Sequence, residues 1–372
     1  MFVKSVALNN YRNYGNLELD TSNRVNIFVG RNAQGKTNLL EAIFVMALTK
    51  SHRTSRDKEL IGWETDHARI KASVDRKYGT CQLELNISKQ GKKAKVNGLE
   101  QQKLSGFIGA LNVVMFAPED LEIVKGAPGI RRRFLDMEIG QVQPSYLYHL
   151  QQYQKVLVQR NNLLKQMWNT ASKQSDTMLD IFNEQLVVNG VKIVKKRKQY
   201  LKKLQVWAEQ IHAGITDGRE SLLVKYAPSF TAEEDDDADA VVFEQFMLKL
   251  TQMKDQEVRR GMTLVGPHRD DLTFYINDKE VQTYGSQGQQ RTTALSLKLA
   301  EIELMHEEIG EYPVLLLDDV LSELDTFRQT QLIETFQSKV QTFITTTGIE
   351  GINTSKLQDA SMFHVENGQV MR

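Results

Sequence analysis

The stretch Gly30-Arg31-Asn32-Ala33-Gln34-Gly35-Lys36-Thr37 decides the fold of this 372-residue chain. It follows the apolar run Val25–Val29 and precedes a second apolar run, Leu39–Leu48, so a glycine loop connects a predicted strand to a predicted helix. Glycine at both ends lets main-chain N–H groups approach an anion, and the helix N-terminus adds a partial positive charge. The spacing therefore predicts a phosphate-binding loop. An ordinary glycine turn before a core helix is the alternative interpretation.

The last two residues of this loop carry predicted roles toward a nucleoside triphosphate. We expect Lys36 to reach the β- and γ-phosphates, and Thr37 to offer its hydroxyl to Mg²⁺, which takes hard oxygen ligands. The apolar run before Asp318 and Asp319 predicts a buried parallel strand that ends in carboxylates, at the edge where α/β proteins bind ligands. Asp318 is suited to orient Mg²⁺ together with Thr37. Asp319 is suited to polarise the attacking water.

A second predicted anion site follows Tyr284-Gly285 and opens a helix with apolar residues at helical spacing. Ser286 is placed to cap this helix, and Gly288 lets a ligand approach its first N–H groups. One nucleotide does not need two such sites from one molecule. The stretch from Ser286 to Gln289 is therefore predicted to contact a nucleotide held by a second copy of the chain.

Composition sets the class of protein and its compartment. The chain is 41% hydrophobic and 25% charged, with 47 Lys+Arg against 47 Asp+Glu, so any basic surface must be local. The lone Cys81 excludes a disulfide framework and fits a reducing compartment. The N-terminus does not resemble a signal peptide, and no apolar run reaches about 18 residues. A cytoplasmic protein without a membrane segment is the interpretation.

The length predicts two domains or one domain with a large insertion. Apolar positions at helical spacing predict two long antiparallel helices, at 145–168 and 176–212, with a break at Asn169–Gln174. Residues 126–259 are accordingly assigned to an inserted helical arm, and residues 1–125 and 260–372 to a nucleotide-binding head. Before the arm, strand-like runs and the Asn97-Gly98 turn predict an antiparallel sheet.

Two basic clusters are candidates for DNA contacts. The first is Arg131, Arg132 and Arg133, which could equally form a solvated helix face paired with Asp136 and Glu138. The second is the basic stretch of the long second helix, in which Lys195 and Lys196 are the candidates; contact with an acidic partner and a solvated face are the alternatives.

Two further polar segments have less specific signals. Arg12 lies close in sequence to the phosphate loop, where its guanidinium could stack on adenine or form part of an exposed turn. Gly266-Pro267-His268-Arg269-Asp270-Asp271 precedes a predicted strand at Leu272–Ile276. His268 has no partner at metal-binding spacing, so a structural histidine is the default.

Taken together, these motifs resemble the ATP-binding-cassette ATPases of the SMC type and, within them, the RecF family of bacterial recombination mediators. The sequence motifs that carry the resemblance are Gly30–Thr37, Pro118-Glu119-Asp120, Gly126–Asp136, Gly266–Asp271, Ser286–Arg291 and Leu315–Asp325. The implied fold is an α/β ABC-type ATPase head of the P-loop class, with an antiparallel β subdomain and an inserted helical arm.

The resemblance also implies the roles of single residues. Lys36 and Asp319 would be catalytic, and Thr37 and Asp318 would hold Mg²⁺. The nucleotide contacts would be Gly30, Arg31, Asn32, Ala33, Gln34, Gly35, Lys36, Thr37, Asn38 and Arg12 and, from a second copy, Ser286, Gly288 and Gln289. Ser322–Asp325 would lie along the dimer seam.

Three positions depart from the wider superfamily. Asp319 stands where relatives usually carry Glu and is one methylene shorter, so we expect slow hydrolysis. The metal-sensing glutamine is not evident near Pro118-Glu119. The histidine expected after the last core strand is replaced by Thr345-Thr346-Thr347.

The implied function is an ATP-induced homodimer that clamps double-stranded DNA near single-strand gaps, with weak DNA-stimulated ATP hydrolysis releasing it. The resemblance implies the mediator RecR as a partner and loading of the RecA recombinase. An ATPase subunit of a transporter is the alternative, against which the unmatched Gly266–Asp271 segment counts. A non-catalytic ATP-dependent scaffold is the third hypothesis.

Overall fold

The structure is a computed structural model that describes residues 1–168, 173–230, 238–320, 338–348 and 360–372. The strands in these residues are β1 (Phe2–Tyr11), β2 (Tyr14–Asp20), β3 (Val25–Val29), β4 (His67–Arg76), β5 (Gly79–Ser88), β6 (Gly91–Val96), β7 (Leu99–Glu100), β8 (Val113–Phe116), β9 (Leu222–Ala227), β10 (Asp271–Ile276), β11 (Lys279–Glu280), β12 (Val314–Asp318), β13 (Thr342–Thr346), β14 (Ala360–Glu366) and β15 (Gln369–Met371). The helices are α1 (Lys36–Leu48), α2 (Leu121–Lys125), α3 (Pro128–Val142), α4 (Pro144–Met167), α5 (Lys173–Ile215), α6 (Asp239–Arg260), α7 (Val281–Tyr284) and α8 (Gln287–Ile309).

The chain divides into two compact units, both built from separate stretches of sequence. The first unit comprises Met1–Leu121, Gly214–Gly218 and Ala294–Arg372, and the second comprises Glu122–Ala213 and Arg219–Thr293. The second unit continues beyond residue 259, where the predicted arm ends, because β10 pairs with β9 and so keeps the following segment with the helices. The assignment of functional domains remains a prediction.

A mostly parallel sheet forms the core of the first unit. Its strand order is β15-β14-β3-β13-β12-β8, and only the terminal β14–β15 pair is antiparallel. Every residue of β3, β12 and β13 is buried, as expected for strands covered on both faces. Phe28 stacks between Phe343 and Phe363 at the centre of the sheet. Helix α1 is apolar around most of its circumference and contacts β8, β12 and β13.

The second sheet of this unit is antiparallel, with the order β2-β1-β4-β5-β6-β7. Strands β1 and β2 pair around the turn at Arg12-Asn13. The predicted Asn97-Gly98 turn joins β6 to β7, with φ of 50° and 80° at its two residues. These are the left-handed angles of a tight hairpin turn.

The second unit is mainly helical. Helices α4 and α5 confirm the two predicted long helices, with α5 three residues longer at each end, and α6 ends at Gly261 in a left-handed cap (φ 62°). A small antiparallel sheet, β11-β10-β9, completes the unit. Among the helices described, none combines the length and apolar character that crossing a bilayer requires. The predicted seam at Ser322–Asp325 lies outside the described residues.

Candidate nucleotide-binding site

The phosphate loop runs from Gly30, directly after β3, to Gly35, directly before α1. Gly35 has φ of 117°, which a residue with a Cβ rarely adopts. The Lys36 ammonium donates to the main-chain oxygens of Gly30 (2.6 Å) and Arg31 (2.9 Å), so it lies folded over the loop. Burial lowers the pKa of Lys36, and the charges of Asp319 and Asp318 oppose that shift. The predicted strand, loop and helix are therefore present, with the lysine at the centre of the loop.

Asp318 and Thr37 meet at the end of β12. The Thr37 hydroxyl donates to Asp318 Oδ1 at 2.9 Å, and the Thr345 hydroxyl donates to the same oxygen at 2.7 Å. Burial raises the pKa of Asp318, and these two hydrogen bonds oppose the shift. In the described residues no three acidic, histidine or cysteine side chains cluster as a ready-made metal site. One carboxylate and one hydroxyl fit Mg²⁺ instead, because this ion is usually completed by phosphates and water.

Asp319 adopts a left-handed backbone conformation, with φ of 54°. Its main-chain N–H donates to the Thr345 hydroxyl at 3.0 Å. Thr345 therefore holds both acidic residues, through one side chain on the neighbouring strand β13. Sequence analysis had noted this threonine only as the replacement for a histidine. Its role depends on the pairing of β12 with β13, which the sequence does not reveal.

A buried ion pair lies beside the phosphate-loop helix. Arg12 donates to both oxygens of Glu41, at 2.8 and 2.7 Å, and the Ser51 hydroxyl donates to the same carboxylate at 2.5 Å. Glu41 is fully buried, which by itself would raise its pKa, but the bonds from Arg12 and Ser51 and the charge of Arg53 make the net shift downward. Sequence analysis missed Glu41, although a carboxylate inside an apolar helical run was the available signal. The predicted nucleotide contact of Arg12 remains a prediction.

The other loop residues differ in exposure. Arg31, Asn32 and Ala33 are exposed, and Ala33 has φ of 65°. Asn38 is held from two sides, since its amide donates to Asn13 (2.8 Å) and its oxygen accepts from Arg53 (2.9 Å).

Ser286 caps α8 in the second unit, as predicted. Its hydroxyl accepts from the Gln289 N–H (3.2 Å), and the Gln289 side chain accepts from the Ser286 N–H (2.9 Å), which is a reciprocal capping arrangement. The Gln289 amide also donates to Glu220 at 2.9 Å. Gly288 is exposed. The predicted cap is therefore present, and the role of this first turn as an anion site remains a prediction.

The Gly266–Asp271 segment forms hydrogen bonds with several other segments of the second unit. Asp270 is fully buried and accepts from the Ser229 N–H (2.8 Å) and from the Tyr226 hydroxyl. The Arg197 guanidinium donates to the Pro267 oxygen at 2.7 Å. His268 is held between Tyr153 and the Thr263 oxygen. The default interpretation of a structural histidine is therefore confirmed.

The arginine cluster requires a correction. Arg131 is only 2% exposed and donates to both oxygens of Asp271, at 2.7 and 2.9 Å. Arg132 is half-buried and donates to the main-chain oxygen of Asp270 at 2.6 Å. The carboxylate that accepts from Arg131 is Asp271, and the hydrogen bond of Arg132 goes to Asp270, instead of the predicted Asp136 and Glu138. The DNA contact predicted for Arg131 is therefore withdrawn because its guanidinium is buried, whereas the contacts predicted for Arg132 and Arg133 remain predictions.

The basic stretch of α5 is also partly engaged. Lys195 is half-buried and pairs with Asp239 at 3.0 Å, and Lys192 pairs with the same carboxylate. Lys196 is half-buried, whereas Lys202 and Lys203 are exposed. The DNA contacts predicted for Lys195 and Lys196 remain predictions.

Comparison with known proteins identifies relatives along the whole chain. A family described as "RecF/RecN/SMC N terminal domain" matches residues 2–370. The DNA replication and repair protein RecF of Bacillus mycoides strain KBAB4 is 58% identical over 370 residues, covering 100% of this chain and 98% of the relative. RecF of Bacillus cereus strain AH820 is 57% identical, with the same coverage.

Solved structures agree with these relatives. The recombination mediator RecF with ATP, of the RecFOR pathway, has a TM-score of 0.92 at 35% identity, covering 100% of this chain and 97% of that one. An Smc head domain from Pyrococcus furiosus, at 15% identity, covers 99% of this chain and 95% of its own with a TM-score of 0.55. The predicted SMC-type ATPase head is confirmed. These relatives give the transporter interpretation no support.

Proposed function

The chain belongs to the RecF family of SMC-type ATPases, and from that premise we propose that it is an ATP-dependent DNA-binding protein of replication and recombinational repair. The proposal is supported by two predicted anion sites in one chain. One is the phosphate loop with Lys36, Thr37 and Asp318, and the other is the Ser286-capped start of α8. The named relatives are replication and repair proteins, and one was solved with ATP.

ATP is the proposed nucleotide and Mg²⁺ the proposed metal. The N–H groups of the loop from Gly30 to Gly35 and the Lys36 ammonium would bind the phosphates. Thr37 and Asp318 would hold Mg²⁺, which neutralises phosphate charge when bound. The Lys36 ammonium would exchange its two main-chain acceptors for phosphate oxygens.

Ser286, Gly288 and Gln289 would cap the γ-phosphate of ATP held by a second copy, so that ATP assembles a homodimer. The N–H groups at the start of α8 and the Ser286 hydroxyl supply the donors for this contact. The homodimer would then close on double-stranded DNA near a single-strand gap. We further propose that the protein helps to load RecA onto the gapped DNA, with RecR as a partner. Its proposed location is the cytoplasm.

ATP hydrolysis would be weak and stimulated by DNA, and it would release the DNA from the dimer. Asp319 is the proposed general base, and its main-chain bond to Thr345 fixes the backbone from which the carboxylate extends. The carboxylate is one methylene shorter than the glutamate usual at this position, which lengthens the path to the attacking water. We therefore expect a long-lived ATP state.

The proposal is tested by the ATP dependence of DNA binding. Fluorescence anisotropy with a gapped duplex should show tighter binding by the wild type when MgATP is present. Lys36→Met should bind with the same affinity with and without MgATP, because the phosphates lose their buried ammonium. Lys77→Met, which removes an exposed lysine of the first unit, is the matched control and should behave as the wild type.

The same assay separates a hydrolysing clamp from a scaffold. Asp319→Asn should dissociate from DNA more slowly than the wild type in MgATP, because the base is lost and the closed state persists. Equal dissociation rates would favour the scaffold. Equal affinity of the wild type for gapped DNA with and without MgATP would contradict the proposal as a whole.

A further inference from the structure

The far end of the chain lies against the phosphate loop. The C-terminal hairpin consists of β14, β15 and the turn Asn367-Gly368 between them. Strand β14 is parallel to β3, whose last residue precedes the loop. The hairpin therefore reaches the loop from the sheet side, more than 300 residues later in sequence.

Gln34, the residue before Gly35, is held by this turn. The Gly368 N–H donates to the Gln34 main-chain oxygen at 3.1 Å, and the Asn367 N–H donates to the Gln34 side-chain oxygen at 2.7 Å. The Asn13 amide donates to the same Gln34 main-chain oxygen at 3.1 Å. Three donors from two distant segments thus fix one residue of the loop.

The packing around the hairpin leaves no room for a Cβ at Gly30, the first residue of the loop, or at Gly368 in the turn. A Cβ at Gly30 would overlap the main-chain oxygen of Val365 in β14. A Cβ at Gly368 would overlap the main-chain oxygen of Asn13. Gly368 is buried and has φ of 74°, so the turn fits only with glycine in this place. The hairpin contacts the loop at its first glycine through Val365 and near its last glycine through the turn.

We propose that the C-terminal hairpin is a positioning element for nucleotide binding, which fixes the phosphate loop in its binding shape through Gln34. The main-chain N–H groups of a phosphate loop bind an anion well only if they already point to one centre, because ordering them on binding costs conformational entropy. A loop held through Gln34 avoids that cost. The inference rests on the proposed function, since it assigns how the same site is kept ready for MgATP.

The chain supplies a matched control for this inference. Asn97-Gly98 is also an Asn-Gly hairpin turn, with φ of 50° and 80° against 49° and 74° at Asn367-Gly368. A Cβ at Gly98 would meet nothing within 4 Å. Gly98→Ala and Gly368→Ala therefore impose the same left-handed strain, but only Gly368→Ala displaces a turn that contacts the phosphate loop.

The experiment is titration calorimetry of MgATP with the full-length wild type, Gly98→Ala and Gly368→Ala, together with KM and kcat for hydrolysis. We expect Gly368→Ala to weaken MgATP binding about tenfold relative to Gly98→Ala, as loss of one to two hydrogen bonds implies. KM should rise while kcat at saturation changes little. Equal affinities in the two glycine variants would overturn the inference.

A second variant approaches the same contact from the loop. Gln34→Ala removes the acceptor for the Asn367 N–H without changing a glycine, and should weaken MgATP binding in the same direction. In the double variant with Gly368→Ala the effects should be less than additive, because both act through one contact. If Gly368→Ala is not recovered folded, an unchanged affinity in Gln34→Ala overturns the inference. Absence of MgATP binding in the wild type and Gly98→Ala would instead refute the proposed function.

Discussion

His268 shows how a single side chain of the Gly266–Asp271 segment serves the fold. Its Nδ1 lies 2.7 Å from the Tyr153 hydroxyl, and its Nε2 lies 3.1 Å from the Thr263 main-chain oxygen. Because a carbonyl oxygen only accepts, the proton of the neutral ring belongs on Nε2, and Nδ1 accepts from Tyr153. Burial lowers the pKa of His268 to about 4. The folded state therefore holds a neutral imidazole throughout the neutral range.

This lowered pKa predicts a loss of stability in weak acid. Between the folded pKa of about 4 and the unfolded value of 6.5, the unfolded chain binds a proton that the folded chain does not, so stability falls as pH falls. The free energy of unfolding should drop by about 2 kcal/mol between pH 7 and 5 from this group alone. Urea denaturation should show a smaller drop in His268→Gln. The exposed His67 gives the control, since His67→Gln should retain the wild-type drop; an unchanged drop in His268→Gln would contradict the assignment.

Some residues of the candidate site were predictable and others were not. Lys36, Thr37 and Asp318 were identified because local spacing defines a phosphate loop and a carboxylate-tipped strand. Thr345 was not, because its role depends on β13 lying beside β12 in the sheet order. Glu41 was missed for a similar reason, since its partner Arg12 comes from the turn between β1 and β2.

At the scale of elements, a buried ion pair joins three helices of the second unit. Arg160 of α4 is fully buried and donates to Glu257 of α6 (2.6 Å), to Asn183 of α5 (2.7 Å) and to the Thr263 hydroxyl (2.8 Å). The other Glu257 oxygen accepts from the Leu264 N–H at 2.7 Å. The charges and their hydrogen-bonding groups are thus satisfied within the helical core.

Removing one member of this network should cost more than any surface change on the same helix. Arg160→Met leaves the Glu257 carboxylate buried without its cation, so we expect a loss of about 3–5 kcal/mol in the free energy of unfolding. Lys155→Met, an exposed position of α4, should stay within about 0.5 kcal/mol of the wild type. Chemical denaturation of the two variants measures the difference. Equal midpoints would show that the network contributes little.

The helices were predictable from periodicity, but the burial of a basic residue in α5 was not predicted. Arg197 lies in the basic stretch of α5, yet it is 2% exposed and donates to Asp136 at 2.7 Å. Its spacing gave a signal, because Val194 and Leu201 lie three residues before and four residues after it on one helix face. The charge of Arg197 suggested an exposed side chain, whereas its position on the apolar face of the helix indicated a buried one.

At the scale of the whole molecule, the proposal depends on one chain holding two complementary halves of an ATP site. The phosphate loop lies in the first unit, and the Ser286-capped turn of α8 lies in the second. Sequence spacing predicted both halves, and the relatives identify the family. In the proposal each half pairs with the other half on a second copy of the chain. The mass of the ATP-bound protein therefore tests whether ATP assembles a homodimer.

The most direct test is light scattering after size exclusion, with a slowly hydrolysed ATP analogue and Mg²⁺ at saturation. The wild type should have twice the mass of one chain with nucleotide and the mass of one chain without it. Ser286→Arg should bind nucleotide through its own phosphate loop and remain monomeric, because the arginine obstructs the cap on the opposite copy. A wild type that stays monomeric at saturating nucleotide, or a Ser286→Arg variant that dimerises fully, would contradict the account.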